Sequence, residues 1–173
     1  MALSIPTELY LIRHGIAAER GTYDNDCDRP LTAKGDVKTH QIAERLKALG
    51  LNFETLLTSP LVRARQTADI LSAVGLSAAV DVCDHLAPNG NFAAWLTWLA
   101  SWQQTGQSRL ALIGHEPDLS RWAQILVEGQ ISDRWVLKKA GVIGLQVPEA
   151  RQARGQSQLV WLSPPRFLLS PHQ

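Results

Sequence analysis

The feature that most constrains this chain is a regular alternation of short apolar runs with longer segments of helical period. Residues 8–12 (ELYLI), 55–58 (TLLT), 78–82 (AAVDV) and 109–113 (RLALI) read as strands. Residues 32–49 read as a helix: Thr32 caps its start, Ile42, Leu46 and Leu49 share a face, and Gly50 follows its end. Ser59-Pro60 opens a second helix, serine as N-cap and proline at the first helical position, with Leu61, Ala64, Ala68 and Leu71 inward. A third helix follows Asn89-Gly90-Asn91 and runs to about Trp102, with Phe92, Trp95, Leu99 and Trp102 on its apolar stripe and Trp98 off it, on the exposed side. A fourth begins at Pro117 and Asp118 and turns Leu119, Trp122, Ala123 and Leu126 inward. GVIGLQV and SQLVWLS, joined by a loop from Pro148 to about Gly155, read as a closing hairpin. Strands followed by helices predict an α/β fold: a three-layer sandwich with a mostly parallel central sheet and helices on both faces.

Composition narrows the function classes. The 173 residues, 45% hydrophobic and 19% charged, suit one globular domain over 1–173. A net charge of +1 supplies no global field for nucleic acid or an anionic membrane, so any anion recognition has to be local. The two cysteines, Cys27 and Cys83, form neither a metal cluster nor a disulfide framework. The opening MALSIPTE lacks the basic and apolar regions of a leader, and no apolar run reaches membrane-spanning length, so a cytoplasmic location is expected.

In an open α/β sheet, ligands bind beyond the carboxyl ends of the strands. The first strand ends in Arg13-His14-Gly15. The second ends in Ser59-Pro60, with Arg63 and Arg65 in the next helical turns, and the fourth ends in Gly114-His115. If these strands are parallel neighbours, two histidines and at least two arginines converge on one crevice. Such a pocket suits a tetrahedral dianion, with phosphate as the obvious candidate. Arginine grips two phosphate oxygens with one planar fork, and helix N-termini near Ser59 and Pro117 add N–H donors. A neutral histidine held in one tautomer can act as a nucleophile. No Walker loop or dinucleotide fingerprint is present.

Taken singly, these residues have plainer readings. His14 alone reads as a hydrogen-bonded strand-end histidine, and Arg63 and Arg65 as solvated helix residues. His40, His85 and His172 read as surface, loop and tail. Asp24, Asp26 and Asp28 read as a solvated loop lacking the glycine and distal glutamate of a calcium site.

Together, Arg13-His14-Gly15, Ser59-Pro60 with Arg63, Ala64, Gln66 and Thr67, and Gly114-His115 resemble the histidine phosphatase superfamily, with its phosphoglycerate mutase-like fold. RPLTAKG at residues 29–35, the compact length and the C-terminal LSPPRFLL resemble its SixA-type phosphohistidine phosphatase branch. The resemblance implies that His14 attacks phosphorus to give a phosphohistidine intermediate, and that water then releases inorganic phosphate. It implies that Arg13, Arg63 and His115 hold the phosphoryl oxygens, that Arg29 and Ser59 are candidate substrate-binding residues, and that neither metal nor cofactor is required. The implied partner is a phosphoprotein, a histidine-phosphotransfer domain or another phosphocarrier. Many members of the superfamily carry a proton-donating glutamate in a Leu-x-Glu stretch. Here Leu86-Ala87-Pro88 puts Pro88 at that position, which shifts the expected substrate from monoesters, whose alkoxide needs a proton, toward a phosphoramidate. Glu116 and Asp118 are the alternative proton sources. Three other readings stay open: a small phosphate monoester phosphatase, a non-catalytic phosphoprotein-binding module and, least favoured, a mutase. Activity is expected to fall as His14 protonates, because an imidazolium has no lone pair for attack, and a flat profile across roughly pH 5 to 8 would count against His14 as the nucleophile.

Overall fold

A computed structural model describes residues 6–169; residues 1–5, on which the leader reading partly rests, and His172 lie outside the described range. The chain order is β1 (Thr7–Arg13), α1 (Ala33–Ala48), β2 (Thr55–Thr58), α2 (Val62–Ala73), β3 (Val80–Val82), α3 (Phe92–Gln103), β4 (Arg109–Gly114), α4 (Asp118–Glu128), β5 (Val142–Val147) and β6 (Gln158–Ser163). The strands form one six-stranded sheet in the order β3-β2-β4-β1-β5-β6. β3, β2, β4 and β1 are parallel; β5 runs antiparallel to β1, and β6 antiparallel to β5. This is the α/β architecture with a mostly parallel sheet between helices, as the alternation predicts.

The period-two alternation of side chains divides the core between the two faces of the sheet. Leu9, Leu11, Leu110 and Leu112 point to the face covered by Trp95 and Leu99 of α3 and Trp122 and Leu126 of α4. Ile12, Leu56, Ala111 and Ile113 point to the face covered by Ile42 and Leu46 of α1 and Ala64, Ala68 and Leu71 of α2. Leu112 is fully buried on the central strand, so its truncation to alanine costs about 2–5 kcal/mol.

Local chemistry revises four details of the expected layout. Thr32 caps α1 through its side chain, but Leu49 sits at the C-cap and is 46% exposed rather than on the buried face. Helix α2 starts at Val62 with Leu61, not Ser59, at its N-cap position and no side-chain cap; the Ser59 hydroxyl accepts from Leu61 N at 3.3 Å and lies 2.8 Å from His115 Nε2. β3 keeps just Val80–Val82, as an edge strand pairs on one side alone. Trp98 is half-buried and stacks on Trp102 at 6.1 Å instead of facing solvent. His40 is a surface residue beside Asp36, as expected.

Candidate active site

Sheet register brings the three predicted strand ends together. Arg13 pairs with Gly114, and Thr58 with Ile113. The ladder continues one residue beyond the strands: His14 N donates to Gly114 O at 3.1 Å, and Ser59 N to Ile113 O at 2.9 Å. His14, Ser59 and His115 therefore stand side by side, with the two imidazole rings 5.1 Å apart between centroids. Arg13, His14, Arg29, Arg63, Pro88 and His115 line one cleft of about 430 Å³, and Ser59 lies buried against His115.

The tautomer of His14 follows from its partner. Nδ1 lies 2.7 Å from the carbonyl oxygen of Gly15, which can accept and cannot donate. Nδ1 therefore carries the hydrogen, and the Nε2 lone pair is left for chemistry. Burial, and then the charges of His115, Arg63 and Arg13, push the His14 pKa down from 6.5 to about 3. The expectation of a protonation between pH 5 and 8 is thus corrected: His14 stays neutral well below that window. His115 Nε2 lies 2.8 Å from Ser59 Oγ, and burial with neighbouring arginines takes its pKa down to about 4. Both rings are neutral near pH 7.

Two guanidinium groups are held rigidly beside them. Arg13 donates to Leu137 O at 3.0 Å. Arg63 is buried, donating to the Asp26 backbone oxygen at 2.7 Å and to its Oδ2 at 3.0 Å. Among the described residues neither Arg13 Nε nor Arg63 Nε has a hydrogen-bond partner, although both are buried. Unmade bonds of this kind are costly and suit a site that binds an anion. Arg29, also buried, reaches Asp26 Oδ1 at 2.7 Å through Nε and the Ala18 carbonyl through Nη1. Arg65 is exposed and takes no part in the cleft.

The scaffold behind these groups explains the flanking motif. Thr67, one turn beyond Arg63 on α2, accepts from Gly15 N at 3.0 Å and donates to Arg63 O at 2.8 Å. Gln66 Oε1 accepts from Leu31 N at 2.7 Å, tying the Arg29–Gly35 segment to the same helix. Gly35 lies against the Ile16 carbonyl so closely that a Cβ there would overlap it. Tight backbone approach, rather than φ, requires this glycine. Among the described residues no group of His, Cys, Asp and Glu side chains is placed to hold a metal ion.

The family model described as histidine phosphatase superfamily (branch 1) matches residues 9–87, the stretch carrying His14 and Arg63. The chain belongs to the histidine phosphatase superfamily. An uncharacterized protein of Picosynechococcus sp. is 50% identical over 163 residues, covering 94% of this chain and 99% of the relative. Phosphohistidine phosphatase SixA of Escherichia coli is 29% identical over 111 residues, or 64% of this chain and 68% of the relative. The solved structure of the protein histidine phosphatase SixA complexed with tungstate superposes with a TM-score of 0.82 at 24% identity, covering 94% of this chain and 99% of that one. A putative alpha-ribazole-5'-P phosphatase from Escherichia coli superposes with a TM-score of 0.74 at 17% identity, covering 92% of this chain and 97% of that one. Identities this low show a shared fold.

As a histidine phosphatase superfamily member, the chain has two cleft groups that sequence reasoning undervalued. Asp26, read as a solvated loop residue, bonds both Arg29 and Arg63, and those cations hold its carboxyl below the usual range. The spacing of Asp26 and Arg29 was the available signal. Glu116 lines the cleft, and burial raises its carboxyl pKa above the usual value. It also accepts from Ser120 N and Oγ, so it caps α4, and the free N–H donors expected near Pro117 are partly taken by this carboxylate. Asp118 instead accepts from Asn89 N at 2.7 Å, outside the cleft lining, and His85 is likewise not in the lining.

Proposed function

We propose that the protein is a phosphohistidine phosphatase acting on a phosphoprotein, a histidine-phosphotransfer domain or other phosphocarrier, through a covalent intermediate on His14. The observation that carries this reading is the proton arrangement of the cleft. The Gly15 carbonyl gives His14 a free Nε2 nucleophile, while Pro88, which has no proton to give, lines the same cleft. The resemblance to the Escherichia coli phosphohistidine phosphatase supports the same substrate class.

In the first step His14 Nε2 attacks phosphorus, and the phosphorus–nitrogen bond of the substrate breaks. The bonding pair passes to the departing ring nitrogen. The substrate imidazole leaves as a neutral group when its other ring nitrogen already carries a proton, so no donor beside the scissile bond is needed. In the second step water attacks phosphorus and the bond to Nε2 breaks. His14 leaves neutral, because its Nδ1 hydrogen is held throughout by Gly15 O. The water proton passes to the phosphate or to Glu116. Arg13, Arg63 and His115 surround the phosphoryl oxygens and balance their charge, the main requirement of phosphoryl transfer. Arg29 and Ser59 act through Asp26 and His115.

A second reading, hydrolysis of a small phosphate monoester, is favoured by one observation: Glu116 lines the cleft with a raised pKa and could protonate an alkoxide. Turnover of a phosphorylated histidine-phosphotransfer domain, compared with a panel of monoesters on wild type and His14→Ala, separates the two. Fast His14-dependent release from the phosphoprotein supports the proposal. Faster release from a monoester transfers it to the second reading. A non-catalytic module is the remaining outcome, with phosphoprotein bound equally by both proteins and hydrolysed by neither.

A further inference from the structure

The catalytic cleft is the inner end of a longer groove. A second cavity of about 360 Å³ shares Arg13 and Lys139 with it, and a third of about 370 Å³ shares Lys138 and Pro165 with the second. The groove thus runs from His14 along the 136–140 segment to the turn after β6. Neither outer cavity is lined by a carboxylate, whereas Lys38, Lys138, Lys139 and Arg166 all line them. Among the described residues none of these four cations makes an ion pair, and nor does Arg20 at the cleft mouth. With 17 basic and 16 acidic side chains in the chain, this concentration is local and does not follow from composition.

Large apolar side chains are exposed at the outer groove and beside it: Val136 and Leu162 line it, and Phe167 follows Arg166 just outside the lining. Val136 is 62% and Phe167 68% exposed, and the Arg166 guanidinium lies over the Phe167 ring at 4.7 Å. Exposed apolar groups beside unpaired cations form the two components of a protein-docking surface, an apolar centre with a charged rim. A single phosphoryl group needs none of this length. Its own burial and the arginines of the cleft already disfavour the charged form of Lys139, so a partner bringing negative charge relieves an existing repulsion.

We infer that this groove docks an acidic face of the phosphoprotein substrate, with carboxylates on Lys38, Lys138 and Lys139 and an apolar contact on Val136 and Phe167, so that its phosphohistidine enters the cleft at His14. The inference rests on the proposed function and names the chemistry of its partner.

The test compares phosphohistidine peptides of equal length flanked by Asp/Glu, by Asn/Gln or by Lys/Arg, with phosphoramidate as a substrate too small to reach the groove. Wild type should favour acidic over neutral flanks by about tenfold in kcat/KM at low salt, through KM, with the preference shrinking as salt screens it. Lys38→Glu with Lys138→Glu, both outside the catalytic groups, should abolish the preference and leave phosphoramidate turnover within about twofold. Lys38→Ala with Lys138→Ala, which adds no charge, should give an intermediate result. Equal rates on all flanks, or a preference that survives both double variants, overturns the inference. A concentration-dependent dimer lost in Phe167→Asp assigns the groove to a second copy of the chain and also overturns it. Turnover of phosphoramidate without flank preference leaves the proposed function standing. Failure on every probe, phosphoramidate included, overturns that reading and this inference with it.

Discussion

His14 Nδ1 lies 2.7 Å from the backbone oxygen of the next residue, Gly15, and this one contact fixes which nitrogen can attack. Under the proposed mechanism it also keeps the ring a good leaving group in the second step. The backbone oxygen does not titrate, so the tautomer is independent of pH as long as the ring is neutral.

Neutrality persists to unusually low pH. With a His14 pKa of about 3 and a His115 pKa of about 4, kcat/KM for a substrate of constant ionisation should stay level from pH 7 to about pH 5 and fall only below that. A midpoint near 6.5 contradicts the burial of His14.

The same burial makes stability depend on acid. An unfolded His14 takes up a proton below its ordinary 6.5, whereas the folded one resists until about 3, so the unfolded chain binds protons first. The stability associated with a neutral His14 is therefore full above pH 6.5 and is lost as pH falls toward 3. Each tenfold difference in proton affinity between the folded and unfolded chain corresponds to about 1.4 kcal/mol. The melting temperature of the unliganded protein should fall through this window more steeply than that of His14→Gln. Parallel curves for the two proteins contradict it.

Arg63 presents a fork, with two nitrogens on Asp26 and Nε unpartnered in the buried site. One ammonium cannot reproduce that geometry. Arg63→Lys should lose about 100-fold in kcat, in the range typical of one lost transition-state donor, with folding intact by circular dichroism. Full activity in this variant removes Arg63 from the site.

Asp26 bonds both Arg29 and Arg63, and under the proposed function it acts through them. Asp26→Asn should lower kcat about tenfold, or about 1.4 kcal/mol in the barrier, without raising KM, since a negative charge is removed from an anion site. A raised KM at constant kcat instead makes Asp26 a substrate contact.

Glu116 separates the two substrate classes. Glu116→Gln should slow hydrolysis of an alkyl phosphate by at least about tenfold, because the alkoxide needs a proton, and should affect phosphohistidine turnover less. An equal loss on both substrates contradicts the role given to Pro88.

The elements and strand ends were legible because apolar periodicity and cap chemistry are local. ELYLI, TLLT and RLALI form the parallel core of the sheet, and Thr32 caps α1 as its sequence context indicates. Misreadings occurred where a distant residue recruited a local one. Ser59 looks like an N-cap, but His115, 56 positions away, engages its hydroxyl. Asp26 looks solvated, but Arg63, 37 positions away, bonds its backbone and its carboxylate. Leu137, whose carbonyl holds Arg13 from 124 positions away, lies in a loop with no period to read. The depressed His14 pKa is likewise a product of tertiary burial, which no single-residue property announces.

The most direct measurement is a rapid-quench experiment with a histidine-phosphotransfer domain carrying labelled phosphohistidine. The expected result is transient label on the phosphatase chain, stable to base and labile to acid, mapping to His14 and absent from His14→Ala, with inorganic phosphate appearing as it decays. Release of phosphate at the wild-type rate by His14→Ala, or label on any other residue, would contradict a covalent intermediate on His14.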